Sequence, residues 1–383
     1  GLSTVVTYCF ALKVTNTAQN SSGISNIVTA ATVSLTTAIR VHGQQGSFST
    51  NTANINSITP DKLSNAPKGI AQDATGVYIA DAVNNRVLWY PNASTTATRV
   101  YGQAGSFTTN TQNKGGISAD SLNAPLGVAV DGTGVYIADY GNNRVLWYAG
   151  TSTTATRVYG QAGSFTTNTA NNGGLSANSL QIPTRVALDG TGVFIADYGN
   201  QRVLWYSGTS TTATRVYGQT GSFTTNTFNK GGLSANSLYA PGGIAVDSTG
   251  VYIADTNNNR VMWFSGTSTT ATQVYGQGGS FVSSLSNNGG ISANSLSAPL
   301  GVYADSTGVY IADTNNHRVL WYSGTATTAT RVYGQGSAFT TGNSNNGGLS
   351  ADSLSSPYDV VTDGSSVFIV DKENGRSLFY SGT

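Results

Sequence analysis

The chain has 383 residues, a net charge of +1, and only 9% charged against 38% hydrophobic residues, where ordinary soluble domains are about a quarter charged. That balance lacks the basic stripe of a nucleic-acid binder, and no apolar run reaches the roughly 18 residues of a membrane-spanning helix. Cys9 is the only cysteine, so no internal disulfide can form, and a surface rich in Ser, Thr, Asn and Gly suits an extracellular or cell-surface setting.

Residues 1–34 fit no repeat and read as an N-terminal extension. Thr4 to Val14 alternates, with Val6, Tyr8, Phe10, Leu12 and Val14 on one side and Thr7, Cys9, Ala11 and Lys13 on the other. That is a half-buried strand pattern. A polar linker, Thr15 to Ser25, leads to a weakly apolar stretch from Ile27 to Val33. The apolar side must pack either on the chain's own fold or on a neighbour, where an extended strand can add to a sheet edge. Val6, Tyr8, Phe10, Leu12 and Val14 are therefore candidate subunit contacts, and self-association or a protein partner is expected. Asn20-Ser21-Ser22 and Asn92-Ala93-Ser94 match the glycosylation acceptor pattern.

From residue 35 onward the chain is one repeat array. Val-(Tyr/His)-Gly-Gln begins at Val41, Val100, Val158, Val216, Val274 and Val332, at intervals of 59, 58, 58, 58 and 58. A fixed period of this size marks a repeat architecture. Within the second unit, Gly127 to Asp131, Gly134 to Asp139, Arg144 to Tyr148 and Thr154 to Gly160 read as four strands. They are rich in β-branched and aromatic residues and bounded by Gly, Asn, Asp and Pro. Six such units predict an all-β fold, a six-bladed β-propeller of four-stranded antiparallel blades. The last unit stops after its third strand, at Ser381-Gly382-Thr383, whereas the missing fourth strand occurs near the start as Leu35 to Val41. The N-terminal strand should therefore complete the last blade, pairing near Leu378 to Ser381, and close the ring over residues 35–383. Closure removes exposed sheet edges.

Phrases such as AP-x-GVAVD-xx-GVYIAD-xx-NNRV, at Ala124 to Val145 and Ala240 to Val261, resemble the NHL repeat. The resemblance implies the same propeller fold. It leaves function open, because NHL-type propellers include interaction domains, nucleic-acid binders, sensors and a few metal-dependent enzymes, and function must be argued from sites.

The repeated polar residues read as scaffold. Asp73, Asp131, Asp189, Asp247, Asp305 and Asp363 close the first strand. Asp81, Asp139, Asp197, Asp255, Asp313 and Asp371 close the second. Arg86, Arg144, Arg202, Arg260, Arg318 and Arg376 open the third, and Arg40, Arg99, Arg157, Arg215 and Arg331 lie in the fourth, with Gln273 replacing one. Bidentate Asp–Arg pairing and capping of turn amides are the expected roles. Trp89, Trp147, Trp205, Trp263 and Trp321, with Phe379 in the last unit, should fill the wedge between blades. A loop of about two dozen residues joins successive units, and such lengths are uncommon unless functional or disordered.

An enzyme is not expected. His42 and His317 are the only histidines and fall in different units, so a His-rich zinc centre is excluded. No nucleophile elbow or phosphate-binding loop is present, and Glu373 is the only glutamate. No metal or cofactor is anticipated.

The best site candidates are departures from the repeat. The first strand should line the central channel, and after the blade-opening proline most units carry a small or apolar pair. The exceptions are Lys68, Thr184-Arg185 and Tyr358-Asp359. Lys68, Arg185, Tyr358 and Asp359 are candidate binding residues at a channel mouth. The favoured reading is a secreted, non-catalytic structural or interaction module that self-assembles through its N-terminal strand. The alternatives are a metal-dependent hydrolase or lyase working in the channel, and a glycan-binding propeller.

Overall fold

A computed structural model describes residues 7–10, 28–31, 36–54 and 57–382. Six four-stranded antiparallel sheets make up the ring, and five of them run in chain order from first strand to fourth. The second blade consists of Val128–Asp131, Gly134–Asp139, Arg144–Ala149 and Arg157–Tyr159. Its second and third strands pair from Arg144↔Asp139 to Ala149↔Gly134. The first strands of neighbouring blades touch one another all the way around, so they are innermost and enclose the channel.

Closure follows the sequence arithmetic. Ala38–His42 pairs antiparallel with Arg376–Ser381, with Ser377↔His42, Leu378↔Val41, Phe379↔Arg40 and Tyr380↔Ala38. The last blade thus takes its outermost strand from the opposite end of the chain.

Adjacent blades are joined by a chain of aromatic contacts. The fourth-strand Tyr of one blade meets a third-strand ring of the next at 5.0–5.1 Å, edge to face, from Tyr101–Tyr148 round to Tyr333–Tyr380. At the seam His42 takes the Tyr position and lies 4.9 Å from Tyr90. Burial, and then the neighbouring charge of Arg40, lowers the His42 imidazole to about 4, so it packs as a neutral ring. Each inter-blade core combines these rings with Val, Ile, Leu and Ala from both sheets. Trp89, Trp147, Trp205, Trp263 and Trp321 pack half-buried at its edge.

In the N-terminal extension Thr7–Phe10 pairs with Val28–Ala31, from Thr7↔Ala31 to Phe10↔Val28. The backbone of Tyr8 and Phe10 therefore has a partner within its own chain. Val6, Leu12 and Val14 lie outside the described residues.

The repeated Asp and Arg residues hold the long loops. In the second blade Arg144 Nε donates to Asp139 Oδ2 at 2.7 Å, and both side chains are fully buried. This corrects the bidentate expectation, because the remaining guanidinium N–H groups are used elsewhere. Nη1 donates to the Phe165 carbonyl of the following loop, and Nη2 to the Ser118 and Ser121 carbonyls of the preceding one at 2.9 and 3.0 Å. Asp139 Oδ1 accepts the Asn123 N–H at 2.7 Å. The same arrangement recurs in every blade. A reciprocal amide pair such as Asn113–Asn142, at 2.7 and 3.0 Å, adds a second tie. The loops are therefore an ordered cover rather than open chain.

The other Asp series caps turns. Asp131 Oδ1 accepts the N–H groups of Thr133 and Gly134 at 2.7 and 3.0 Å and the Thr133 hydroxyl at 2.6 Å. The fourth-strand arginines depart from the expected pairing with Asp. Arg99, Arg157, Arg215 and Arg331 lie over the rings of Trp89, Trp147, Trp205 and Trp321 at 4.4–4.8 Å, and Arg40 over Phe379 at 4.4 Å. The register causes this, since Trp89 stands opposite Arg99 and Trp147 opposite Arg157. His317 fills the left-handed position (φ 52°) that Asn143 fills elsewhere. Its Nδ1 accepts the Ser356 N–H at 3.0 Å, as Asn143 Oδ1 accepts that of Ile182 at 2.8 Å.

Candidate functional site

One position, two residues after the blade-opening proline, decides the shape of the channel. It is Gly69, Gly127, Gly243 and Gly301 in four blades, Arg185 in the third and Asp359 in the sixth. A Cβ on Gly69, Gly127 or Gly243 would meet a carbonyl oxygen of the next blade at 2.3, 2.6 or 1.9 Å. The inner strands approach too closely there for a side chain. The two exceptions face each other across the ring and reach into the channel.

Their side chains join. Arg185 Nη2 lies 3.3 Å from Asp359 Oδ2. Arg185 also donates to the carbonyls of Tyr358 at 3.2 Å and Leu126 at 3.3 Å, and Asp359 Oδ2 accepts the Ile70 N–H at 2.8 Å. Arg185 is 4% exposed, and its Nε–H has no hydrogen-bond partner among the described residues. Burial pushes the Asp359 carboxyl up, against the pull of Arg185.

The bridge lies between two spaces. On one side is an apolar lumen of about 180 Å³, walled by Ile70, Val128, Val186, Ile244, Val302 and Val360. On the other is a cup of about 440 Å³ at the channel mouth, which includes Lys68, Leu126, Tyr140, Tyr198, Leu300 and Tyr358. The Tyr358 ring carries two cations, with Lys68 Nζ 4.3 Å and Arg185 Cζ 4.9 Å from its centroid. Lys68 is lowered to about 7, first by burial and then by the charges of Lys372 and Arg185, with Glu373 opposing.

The structure thus brings Lys68, Arg185, Tyr358 and Asp359 together, with Thr184 on the same wall. It does not bring the two histidines together, since His42 is sealed at the seam and His317 braces a loop. Tyr140 and Tyr198 were missed by sequence reasoning. They occupy the turn after the second strand, where the other blades carry Ala82, Thr256, Thr314 and Lys372. That departure was a readable signal. It makes one side of the mouth aromatic, while Thr256 and Thr314 in the next two blades are tied to the Pro299 and Pro357 carbonyls at 2.7 and 2.8 Å.

The residues could form a small-molecule or peptide-end site. The Asp side chains of the repeat are engaged in turns and buried pairs. Among the described residues no group of three or more His, Cys, Asp or Glu side chains is placed to hold a metal.

These features define a six-bladed β-propeller with an asymmetric, plugged channel. No family model matches the chain, and no characterised protein matches it in sequence. Among solved structures it is similar to a chain of a nidogen/laminin complex, at 16% identity and a TM-score of 0.45 over 70% of this chain and 79% of that one. It is also similar to a streptogramin B lyase, at 12% and 0.47 over 85% and 86%. A third is virginiamycin B lyase from Staphylococcus aureus, at 11% and 0.44 over 83% and 96%. These likenesses transfer neither activity nor partner, and the propeller is read from this chain's own sheets.

Proposed function

We propose that this chain is a non-catalytic binding propeller of NHL type, displayed outside the cell, which captures a ligand or partner segment at the channel mouth. One observation carries the reading: the residues that depart from an otherwise repeated blade meet around one concave, partly aromatic cup. A concave site with apolar walls and a few convergent polar groups is the usual form of a binding pocket. The absence of catalysis is part of the proposal, and the engagement of the repeated carboxylates in turns and ion pairs supports it.

Ligand-observed NMR against the full chain tests the reading. Fragments should bind the native protein, lose binding in Tyr140→Ser and Tyr198→Ser variants, and be recovered unchanged. Binding indifferent to both variants, or turnover of the compounds, would sink it.

A glycan reading has its own observation. Grooves between blades, of about 360 and 710 Å³, each combine a Trp, its stacked Arg and turn Asp and Thr residues, at the blade ends away from the mouth. Sugar-dependent quenching of tryptophan fluorescence would favour it. Self-association through residues 1–14 belongs to the proposal as well. Light scattering should show a smaller assembly once that segment is removed, and identical size distributions would remove this element.

A further inference from the structure

We propose that the channel mouth takes a small organic monoanion, a carboxylate on an apolar body, with Lys68 as its anchor. This rests on the reading of the mouth as a binding site.

The charges there do not balance. Three cations, Lys68, Arg185 and Lys372, meet two carboxylates, Asp359 and Glu373. Arg185 is paired with Asp359, and Lys372 with Glu373. Lys68 has no carboxylate within ion-pair distance among the described residues, and its ammonium rests on the Tyr358 ring alone. The other described lysines are satisfied. Lys62, Lys114 and Lys230 donate to hydroxyls of their own loops at 3.2, 3.1 and 2.8 Å.

A half-buried cation with no counter-ion, sharing a ring with a second cation, is an unfavourable arrangement in the free protein. An incoming anion relieves it, whereas a cationic ligand would add repulsion. A single unpaired charge matches a single negative charge better than a dianion. Arg185, whose Nε–H has no partner among the described residues, lines the lumen beyond the bridge, so Lys68 is the cup's own unpaired cation. Leu126, Leu300, Tyr140 and Tyr198 supply apolar wall for the rest of the ligand. The cup, at about 440 Å³, falls within the ~300–1,000 Å³ of small-molecule sites.

Proton linkage gives the proposal its own signature. Lys68 is held at about 7 by burial, Lys372 and Arg185, against Glu373. A carboxylate beside it favours the charged form. Binding at pH 8 should therefore take up a fraction of a proton, and affinity should fall as pH rises above 7.

The test is calorimetry on the full chain with three compounds of one skeleton: 4-phenylbutyrate, 4-phenylbutyramide and 4-phenylbutylamine. The acid should bind at least tenfold tighter than the amide, and the amine more weakly still. Titrations at pH 8 in buffers of different ionisation enthalpy should report proton uptake for the acid alone. Lys68→Met should reduce the acid to the level of the amide and leave the amide unchanged. Lys68→Arg should keep the preference and lose the proton uptake. Equal binding of acid and amide, an acid affinity indifferent to Lys68→Met, or no binding by any of the three overturns the proposal. Equal binding that still falls in Tyr140→Ser would refute the anion and leave the mouth as a binding site.

Discussion

The six arginine–aspartate pairs that hold the loops and the one that crosses the channel use the same two side chains to opposite ends. In the loop pairs Nε sits 2.7–2.8 Å from Oδ2, exposure is zero, and the guanidinium also reaches carbonyls of two loops. Across the channel the separation is 3.3 Å, both residues keep a little exposure, and Arg185 Nε has no partner among the described residues. A buried ion pair stabilises only when its remaining donors and acceptors are also satisfied. The repeated pairs meet that condition and the channel pair does not. The repeated pairs are scaffold, and the channel pair is placed where specificity would be needed.

Substitution should separate the two kinds. Arg144→Met strands the buried Asp139 carboxylate and three loop carbonyls, and should cost about 3–5 kcal/mol in urea denaturation. Arg185→Met should cost less than half as much. Equal losses would erase the distinction. Gly243→Ala tests how tightly the inner strands are drawn together. Its Cβ would stand 1.9 Å from the Leu300 carbonyl oxygen, so a loss of about 2 kcal/mol is expected, against near-neutrality for the exposed Gly132→Ala.

Lys68→Met should act the other way, with a pH signature. The amine falls from 10.5 to about 7 on folding. The unfolded state then holds the proton more tightly, so the charge opposes folding fully below pH 7. The penalty fades as pH rises from 7 to 10.5. Melting curves should show Lys68→Met stabilised by about 2 kcal/mol at pH 6, and by nothing near pH 10.5. A gain independent of pH would mean that packing, not charge, had changed. The smallest effect concerns the one blade without a stacked arginine. Gln273→Arg should place a guanidinium over Trp263 and add about 0.5 kcal/mol, less the existing bond from Gln273 to the Thr325 carbonyl at 2.9 Å.

Much of this architecture is legible in the amino-acid sequence. The period fixed blade count and closure, because a strand missing at one end and present at the other has one place to go. Departures from the repeat pointed to Lys68, Arg185, Tyr358 and Asp359, since a repeated scaffold residue has no reason to differ in one blade. Pairing of side chains was less legible. Asp and Arg at opposite strand ends suggested one pairing scheme for every arginine. Only the register, which sets Arg99 beside Trp89, assigns the fourth-strand series to rings instead. Tyr140 and Tyr198 escaped notice because the turn that carries them is remote in sequence from the strand that defines the mouth.

The seam has a consequence for how the molecule is made. Gln44, beside the closing strand, donates to the Gly375 carbonyl across 331 positions of chain at 3.0 Å. Synthesis at about 5–20 residues per second separates those two residues by roughly 15–70 s. Throughout that time Ala38 and Val41, buried in the finished ring, belong to an edge strand without its partner. The first blade-strand to leave the ribosome is the last to be paired. A peptide copying Ala38–His42, supplied during translation, would compete for that vacancy and leave the nascent ring open.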